Sequence, residues 1–400
     1  MTGTRPRLLF VSPRFLFPLD EGGKIRTSNI LRQMKGGAFE ITLASPAPAP
    51  DAHASEIAGI ADRFLSWPMP APSPLAKALA APGRLPISVA TDRAPAGRAV
   101  VARALAERPE VVVGDFPHAG VLLPDRIDAA SVMFTHNIEA EIYERHAAVA
   151  AFPQRLVWRN EARKMRRFEA ETLRRFDVAI AVSARDGEGL RKHYGIDRIE
   201  LIDTGVDLDF YPFSPPPAEP VLVFSGAMDS RSNIDGIEFL LDDVWPLIAH
   251  ARPDARAVIV GRNPPPALVA KAQGRGLPWR FTGFVDDIRP HIAAAQVSVI
   301  PLRVGSGTRI KAFEAMALGR PVVSTTLGVE GLDITPGEHF LAADTAGDFA
   351  AAILRLFDDA ALRARLAQAA RARLEERFSW AHVARQFEAI CQHAMRQRAG

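Results

Sequence analysis

Two series of short apolar runs, spaced by stretches with helical patterns, restrict most strongly what this chain can fold into. The runs are continuous rather than alternating, which is typical of parallel strands covered on both faces. A proline-rich stretch, PFSPPPAEP (212–220), separates the two series and can continue neither a sheet nor a helix. The runs are RLLFVS (7–12), EITLAS (40–45), VVVGD (111–115), SVMFTH (131–136), VAIAVS (178–183) and IELID (199–203), then VLVFSG (221–226), ARAVIVG (255–261), WRFTGF (279–284), VSVIP (297–301) and PVVST (321–325).

The sequence therefore predicts an α/β fold made of two doubly wound, Rossmann-like domains. The first domain is expected over 1–208, the linker over 209–220 and the second domain over 221–380. A length of 400 residues also favours two domains over a single core. Segments 46–50 and 67–97 are too irregular to assign and are expected to form a loop and short helices on the first domain.

The composition describes an ordinary globular protein, with 48% hydrophobic and 24% charged residues. A formal net charge of +3 is too small to argue for nucleic acid, although it permits an anionic ligand or surface. Cys391 is the single cysteine, which excludes an internal disulfide and favours a reducing compartment. The first apolar run is interrupted by Pro13 and Arg14, too early for a signal peptide core. No run of about 18 apolar residues occurs, so we expect a cytoplasmic protein, soluble or peripheral to the inner face of the membrane.

Ligands of doubly wound domains bind beyond the carboxyl ends of the strands, which for two such domains predicts a site in a cleft between the sheets. The segment after the first run, PRFLFPLDEGGKIR, places Gly22 and Gly23 directly before a helix. Bare amides at that position can receive a phosphate, and Arg26 adds a cation one turn later. The segment matches neither GxGxxG nor GxxxxGK[ST], so a simple turn and an anion-binding turn both fit it.

A histidine ends the run SVMFTH, at the edge of the predicted sheet that should face the cleft. His136 is interpreted either as a polar strand cap or as a catalytic residue, because imidazole titrates near neutral pH. Glu139 follows three residues later, within reach of His136 if the segment is helical.

The segment 153–177 is strongly basic, with eight Arg or Lys against three Glu between residues 155 and 175. One interpretation is an interfacial helix that contacts anionic lipid, giving a peripheral membrane contact. The other is a solvated surface helix whose apolar side packs on the first sheet, and this one is favoured because a helix in this position needs its apolar residues as core. Those residues are Leu156, Trp158, Met165, Phe168 and Leu173.

The stretch PLRVGSGTRIKAFEAMALGRPVVST (301–325) carries the strongest signal. A strand ends at Pro301, a glycine-containing turn follows, and a helix is predicted to begin near Thr308 and to end before Gly319. The glycines allow close backbone approach, and the first amides of the helix are unpaired by its own carbonyls. Lys311 places a positive charge in the first turn, which is unfavourable there unless an anion is bound. The turn consists of Gly305, Ser306 and Gly307, followed by Thr308 and Arg309.

Glu314 lies beside the stripe of Ile310, Phe313 and Ala317, which the helical spacing predicts to be buried. A carboxylate at that depth is unfavourable unless it accepts hydrogen bonds, which two neighbouring sugar hydroxyls would donate. The alternative is an exposed glutamate that pairs with Lys311. The combined pattern favours a nucleoside diphosphate site, in which the loop and Lys311 hold the phosphates and Glu314 holds the ribose.

Two further loops follow strands of the second domain, FSGAMDSRSNIDGIEFLL and FTGFVDDIRPHIAAA. Each lies where a ligand in the cleft would meet backbone groups, although each is also compatible with an ordinary connection between a strand and a helix. In the second loop, Phe284 and Val285 would present a flat apolar edge to a base. The residues of the first loop expected to contact the donor are Gly226, Met228, Asp229 and Asn233.

Over nearly its whole length the chain resembles the retaining nucleotide-sugar glycosyltransferases of family 4, which have the GT-B fold, with two Rossmann-like sheets facing across a cleft. The resemblance rests on GGKIR, on THN after a strand, and on VAIAVSARDGEGLRKHYG, LIDTGVDLDFYPF, FTGFVDDIRPHIAAAQVSVIPL and KAFEAMALGRPVVST. RFSWAHVARQFEAI looks like the family's terminal helix, which at about 381–400 would complete the first domain. The variants GAMDSRSNIDG and GSGTRIKAFEAMA look most like sugar transferases of bacterial exopolysaccharide assembly.

The resemblance implies transfer of a sugar from a nucleoside diphosphate to a glycan or lipid-linked acceptor, with retention of configuration and without a metal or other cofactor. The first domain would bind the acceptor and the second the donor. By matching positions, Glu314 would bind the ribose and Val285 would contact the base through its backbone. Gly22 and Gly23 would form the loop at the distal phosphate, and His136 would lie next to the transferred sugar.

Two departures from the family pattern concern the charges at the donor. Ser306 occupies the first position of the usual pair of glutamates, and GAMDSRSNIDG lacks the family's arginine and lysine. We therefore expect Lys311, with Arg309 or Arg231 as a second cation, to stabilise the leaving diphosphate. A catalytically silent assembly factor and a sugar-nucleotide epimerase are the alternatives. A nicotinamide-dependent oxidoreductase is less favoured, because neither half begins with GxGxxG.

Overall fold

The chain forms two compact units, of which unit 1 is Met1–Thr204 with Trp380–Gly400 and unit 2 is Gly205–Ser379. Each unit is built on one parallel β-sheet with helices packed on it, so the predicted α/β fold with two doubly wound units is confirmed. The computed structural model describes residues 5–19, 21–49, 51–69, 73, 78–304 and 310–399.

The strands of unit 1 are β1 (Arg7–Val11), β2 (Glu40–Ala47), β3 (Arg63–Pro68), β4 (Val111–Asp115), β5 (Ala130–Phe134), β6 (Val178–Ala181) and β7 (Ile199–Leu201). They form one sheet in the order β3-β2-β1-β4-β5-β6-β7, and all neighbouring strands are parallel. The strand order reverses between β1 and β4. This is the position at which doubly wound sheets leave a crevice for ligands.

The helices of unit 1 cover both faces of its sheet, which explains the continuous apolar runs. In β1, Leu8 and Phe10 belong to the core on one face, whereas Leu9 and Val11 belong to the core on the other. The helices before the second unit are α1 (Gly22–Met34), α2 (Ala54–Ala58), α3 (Ile87–Asp92), α4 (Pro95–Ala106), α5 (Glu139–Val149), α6 (Gln154–Leu173) and α7 (Ala184–Tyr194), with a 3-10 turn at Pro117–Val121.

Unit 2 repeats this organisation with strands β8 (Val221–Ser225), β9 (Arg256–Val260), β10 (Trp279–Gly283), β11 (Val297–Ile300), β12 (Val322–Ser324) and β13 (Leu341–Ala342). Their order is β10-β9-β8-β11-β12-β13, so the order reverses between β8 and β11. The helices are α8 (Arg231–Phe239), α9 (Trp245–Ala251), α10 (Pro266–Gly274), α11 (Arg289–Ala293), α12 (Ile310–Ala317), α13 (Ala346–Asp358) and α14 (Ala360–Arg373), with π turns at Leu240–Val244 and Leu374–Phe378 and a 3-10 turn at Leu327–Val329.

The last helix, α15 (Trp380–Ala399), belongs to unit 1. The Phe387 ring lies 6.4 Å from the Phe10 ring and 5.2 Å from the Phe134 ring, so the helix covers the middle of the sheet. Glu388 Oε1 accepts a hydrogen bond from the Ala38 amide at 2.8 Å, which ties the helix to the end of the α1 segment. No helix in the described part of the chain is both long and apolar enough to cross a membrane.

Two strands, β3 and β13, are absent from the predicted series of runs. Both lie at an edge of their sheet. Most side chains of β3 are half-buried or exposed, and both residues of β13 are half-buried or exposed. A strand at an edge packs against one neighbour only, so it needs no continuous apolar run.

Candidate functional site

A pocket of about 420 Å³ in unit 2 lies where its strand order reverses. This volume is within the range of small-ligand pockets. The loops after β8, β9 and β10 and the first turns of α12 form its walls. It brings together five residues predicted from the sequence, Gly226, Phe284, Val285, Lys311 and Glu314. The other lining residues are Ser225, Ala227, Val260, Gly261, Arg262, Ile288 and Ile310.

The Lys311 ammonium lies against the loop that follows β8. Its Nζ donates a hydrogen bond to Asn233 Oδ1 (2.8 Å) and lies 4.5 Å from the centre of the Phe224 ring. Asn233 is itself held by its Nδ2, which donates to the Ala227 carbonyl at 2.8 Å. A Cβ at Gly226 would lie 3.0 Å from Lys311 Nζ, so glycine leaves room for the ammonium. Helix α12 thus places a cation beside the loop that follows β8.

Glu314 lies on the same helix and faces the same pocket. Its Oε1 accepts a hydrogen bond from the Tyr211 hydroxyl at 2.9 Å. Burial raises the pKa of Glu314, while the hydrogen bond from Tyr211 and the charge of Lys311 oppose the rise. Within the described residues no other group donates to this carboxylate, so Oε2 can accept from a ligand.

The predicted buried stripe of α12 is correct for Phe313 and Ala317 and wrong for Ile310. Phe313 and Ala317 are 1% and 0% exposed, but Ile310 is 40% exposed. Ile310 is the first residue of α12 and lines the pocket, so the core does not cover it.

An ion pair links two loops of unit 2. Arg262 Nε donates to Asp229 Oδ2 at 3.0 Å, and Asn263 Nδ2 lies 3.4 Å from the same oxygen. The hydrogen bond from Arg262 lowers the pKa of Asp229. Met228 is 1% exposed and its side chain belongs to the core, so only its backbone is near the loop surface.

The apolar edge of the pocket carries Phe284 and Val285, as the sequence predicts. Phe284 is 73% exposed, whereas Val285 is half-buried against the core. Of the candidate cations, Arg231 is exposed at the first residue of α8 and is not among the pocket residues. The predicted site residues Gly305, Ser306, Gly307, Thr308 and Arg309 lie outside the described residues.

In unit 1, α1 begins at Gly22, and the preceding Glu21 makes no capping hydrogen bond with its side chain. The amides of Gly22 and Gly23 therefore have no carbonyl partner in their own helix. A Cβ at Gly23 would lie 2.5 Å from the Phe116 ring, so a side chain there would collide with the aromatic ring. Phe116 itself has a φ of 61°, an unfavourable conformation for a bulky residue that is often found at functional sites.

His136 lies in a buried cluster next to helix α1. Its Nε2 lies 2.8 Å from Asp115 Oδ1, and its Nδ1 lies 3.0 Å from an Arg26 guanidinium nitrogen. Because a guanidinium only donates, Nδ1 accepts and Nε2 carries the hydrogen donated to Asp115. Burial lowers the pKa of His136, which also favours the neutral ring. The His136 side chain is 1% exposed.

Arg26 is directed into the same cluster. Its second terminal nitrogen donates to Thr204 Oγ1 at 2.8 Å, and burial lowers its pKa to about 10. Asp115 also accepts from Ser12 Oγ (2.9 Å) and Thr27 Oγ1 (3.0 Å). The cluster therefore holds one carboxylate and one guanidinium, joined by a neutral imidazole.

Three residues of these sites were missed from the sequence. Asp115 ends the run VVVGD, so its position after a strand was visible, but no local pattern marked it. Arg262 likewise follows a strand directly. Tyr211 lies in the proline-rich linker, and only the fold brings its hydroxyl to Glu314.

The pocket of unit 2 combines the ammonium of Lys311, the carboxylate of Glu314 and an apolar edge. The ammonium can neutralise and hydrogen-bond an anion, and the carboxylate, which accepts from one donor among the described residues, can also accept from hydroxyls of a ligand. Two family models match the chain. "Glycosyltransferase Family 4" matches residues 22–210, and "Glycosyl transferases group 1" matches residues 219–359.

Known proteins similar to the chain agree with these matches. The D-inositol 3-phosphate glycosyltransferase of Rhodococcus opacus is 28% identical over 241 residues, which are 54% of this chain and 53% of that protein. The chain thus spans about half the length of these curated relatives.

Solved structures share the fold of the whole chain. Sucrose-phosphate synthase from Thermosynechococcus elongatus has a TM-score of 0.66 at 19% identity, covering 98% of this chain and 100% of that one. Anabaena Alr3699/HepE in complex with UDP has a TM-score of 0.65 at 17% identity, covering 97% and 100%. The fold is therefore that of the GT-B glycosyltransferases.

Proposed function

We propose, from the premise that this chain belongs to the glycosyltransferases of family 4, that it transfers a sugar from a nucleoside diphosphate sugar to a glycan or lipid-linked acceptor. The observation that carries the proposal is the placement of Lys311 and Glu314 on one helix in the pocket of unit 2. The neighbour HepE was solved with UDP, which supports a nucleotide donor. The resemblance to family 4 supports retention of the anomeric configuration, and the likeness of GAMDSRSNIDG and GSGTRIKAFEAMA to exopolysaccharide sugar transferases supports a role in bacterial polysaccharide synthesis.

In the proposed complex, the ribose hydroxyls donate to Glu314 and the base lies against Val285 and Phe284. The diphosphate lies at Gly226 and Lys311, where the ammonium stabilises the charge of the leaving group. Because Lys311 supplies this charge, the proposed reaction needs no metal. Asp229 and Asn233 act indirectly, Asn233 by holding Lys311.

Unit 1 would provide the acceptor side of the reaction. We propose that the amides of Gly22 and Gly23 contact the distal phosphate and that Arg26 adds positive potential there. His136 would border the transferred sugar, oriented by Asp115 and Arg26. The single buried Cys391 fits a reducing compartment, which supports a cytoplasmic location.

Purified full-length protein should be stabilised against heat by one class of nucleoside diphosphate. The assay compares UDP, GDP and ADP, because binding to the folded state alone raises the melting temperature. The matching sugar nucleotides are then incubated with the protein in EDTA, and released nucleotide and product configuration are measured. We expect release of the diphosphate and a product with the donor's anomeric configuration.

Three other results of these assays would contradict the proposed sugar transfer. Binding without release of nucleotide, over a panel of acceptors, would identify a catalytically silent assembly factor. Conversion of the sugar with the nucleotide still attached would identify an epimerase. An absence of stabilisation by all three nucleotides would contradict the proposed donor site.

Acidification should weaken nucleotide binding, and the loss of affinity should begin at a higher pH than it would for a glutamate with an ordinary pKa. Burial raises the pKa of Glu314, and ribose hydroxyls donate more strongly to its ionised form, whose oxygens are both acceptors, so binding releases a proton from the fraction that is protonated. Lowering the pH through this raised pKa therefore weakens binding, and raising the pH restores it. Calorimetry between about pH 5 and pH 8 measures the effect against an ordinary glutamate pKa near 4.3.

Two variants isolate this effect from titration of the nucleotide itself. Glu314→Gln should bind about tenfold or more weakly at neutral pH and lack the part of the pH dependence that belongs to Glu314. Tyr211→Phe removes a hydrogen bond that lowers the pKa of Glu314, so its loss of affinity should begin at a higher pH. Identical pH profiles for the parent and Glu314→Gln would place the ribose elsewhere.

A further inference from the structure

The helical hairpin of α5 and α6 is firmly packed on unit 1 at one end. Glu169 accepts hydrogen bonds from the amides of Glu139 (2.7 Å) and Ala140 (2.9 Å), at the start of α5. In the same half of α6, Met165 and Phe168 are 0% and 6% exposed. This half of the helix fulfils the expectation of a surface helix that packs on the domain.

The other end of the hairpin presents apolar side chains to solvent. Phe152, in the connection between the two helices, is 81% exposed, the highest value among the large apolar side chains of the described residues. Leu156 and Val157, in the first turn of α6, are 54% and 57% exposed. Neighbouring exposed apolar groups of this size mark contact with a partner or a membrane.

Arginines surround this apolar tip. Arg159, Arg163 and Arg167 follow Leu156 at three, seven and eleven residues, which places all four on one face of α6. Arg155 lies in the first turn and donates to the Ala150 carbonyl. In the described part of the chain, no carboxylate pairs with Arg155, Arg159 or Arg163, whereas Arg167 pairs with Glu171 at 2.7 Å.

A shallow groove of about 430 Å³ joins the arginines to α5. Its lining includes Arg159, Arg163 and Arg166, together with small alanines of both helices. Glu144 also faces it and pairs with Arg166. The groove therefore carries a net positive charge and has room for a phosphate-bearing group.

We propose that the tip of this hairpin docks the protein on a bilayer that contains anionic phospholipids. Phe152, Leu156 and Val157 would enter the interface between headgroups and acyl chains, while Arg155, Arg159 and Arg163 contact the phosphates. Apolar insertion and basic residues reinforce each other at such surfaces, and either signal alone binds weakly. This docking does not depend on the proposed sugar transfer.

The combination of side chains selects a membrane over a nucleic acid. Protein surfaces that bind nucleic acids combine basic residues with polar groups or with aromatic rings that stack on bases. Exposed leucine and valine add little to such binding. The net charge of the whole chain is only +3, so the attraction is local to the hairpin. The proposed partner of the hairpin tip is therefore an anionic lipid surface.

Flotation of the full-length protein with vesicles tests the proposal. The protein is expected to bind vesicles with about 30% phosphatidylglycerol at least tenfold more tightly than pure phosphatidylcholine, and less tightly at high salt. The variant Arg155→Gln/Arg159→Gln/Arg163→Gln should lose about two orders of magnitude in partitioning. The variant Phe152→Ser/Leu156→Ser should lose about tenfold.

A matched control changes charge elsewhere in unit 1. Arg98→Gln/Arg103→Gln/Arg126→Gln removes three exposed arginines and should bind vesicles like the parent. Thermal unfolding of all variants, measured without lipid, shows whether the fold is kept. Equal binding to both vesicle types, equal loss in the control and the hairpin variant, or displacement of vesicles by single-stranded DNA at similar concentration would each overturn the proposal.

Discussion

Replacement of Lys311 by alanine is expected to lower kcat by about 100- to 1,000-fold, the effect of removing one preorganised group that stabilises charge in a transition state. The reason is the position of the ammonium, 2.8 Å from Asn233 Oδ1 and against the Gly226 loop. A diphosphate that leaves at this loop gains a full negative charge beside Lys311. The measurement is turnover of the purified variant with the donor that stabilises the parent best.

Two further variants make this result specific. Lys271→Ala removes an exposed lysine of the same unit, paired with Asp242 on the surface, and should keep the parent's turnover. Lys311→Arg keeps the charge with a different shape and should recover part of the lost rate. If Lys311→Ala turned over within a factor of about two of the parent and had the same melting temperature, we would conclude that other residues contact the phosphates.

The central strands could be predicted from the sequence because burial on both faces forces a continuous apolar run. β1 and β4 illustrate this, since nearly every residue in both is buried. β3 and β13 could not, because each lies at a sheet edge and has few buried side chains, although the apolar runs did predict the other two edge strands, β7 and β10. For an edge strand without an apolar run, the identifying information lies in the strand that it pairs with, which a local pattern does not contain.

The site was predictable to the extent that its residues follow strands. Lys311 and Glu314 could be proposed as site residues because their charges are unfavourable in an otherwise apolar helix, and both line the pocket of unit 2. The partners of these side chains could not be assigned, since Asn233 and Tyr211 are separated from them by 78 and 103 residues. Only the folded sheet brings such distant segments together.

The His136 cluster illustrates the same limit. The sequence left open whether His136 is a strand cap or a catalytic group, and it assigned Arg26 to the phosphate loop. In the structure both side chains are buried together with Asp115, which the parallel register of β4 and β5 places opposite Phe134. This arrangement makes the cluster important for stability as well as for the proposed site.

Replacement of Asp115 by asparagine should destabilise unit 1 by about 3–5 kcal/mol, the range found when one partner of a buried charged group is removed. Three groups donate to this carboxylate, namely His136 Nε2, Thr27 Oγ1 and Ser12 Oγ. An asparagine has only one oxygen to accept them, and its amide would face a donor. The guanidinium of Arg26 would also lose a buried negative charge that favours its ionised form.

Calorimetry of the full-length protein measures this effect, because the two units need not unfold in one transition. We expect the transition of unit 1 to move down by roughly 10 °C and that of unit 2 to keep its position. Asp128→Asn is the matched control, since Asp128 forms an ion pair with Arg126 in which both side chains are almost fully exposed. The double variant Asp115→Asn/Arg26→Met should be less destabilised than the sum of its single changes, because it removes both charges. If Asp115→Asn were as mild as Asp128→Asn, the cluster would hold no buried charge that needs compensation, and the neutral imidazole would need another explanation.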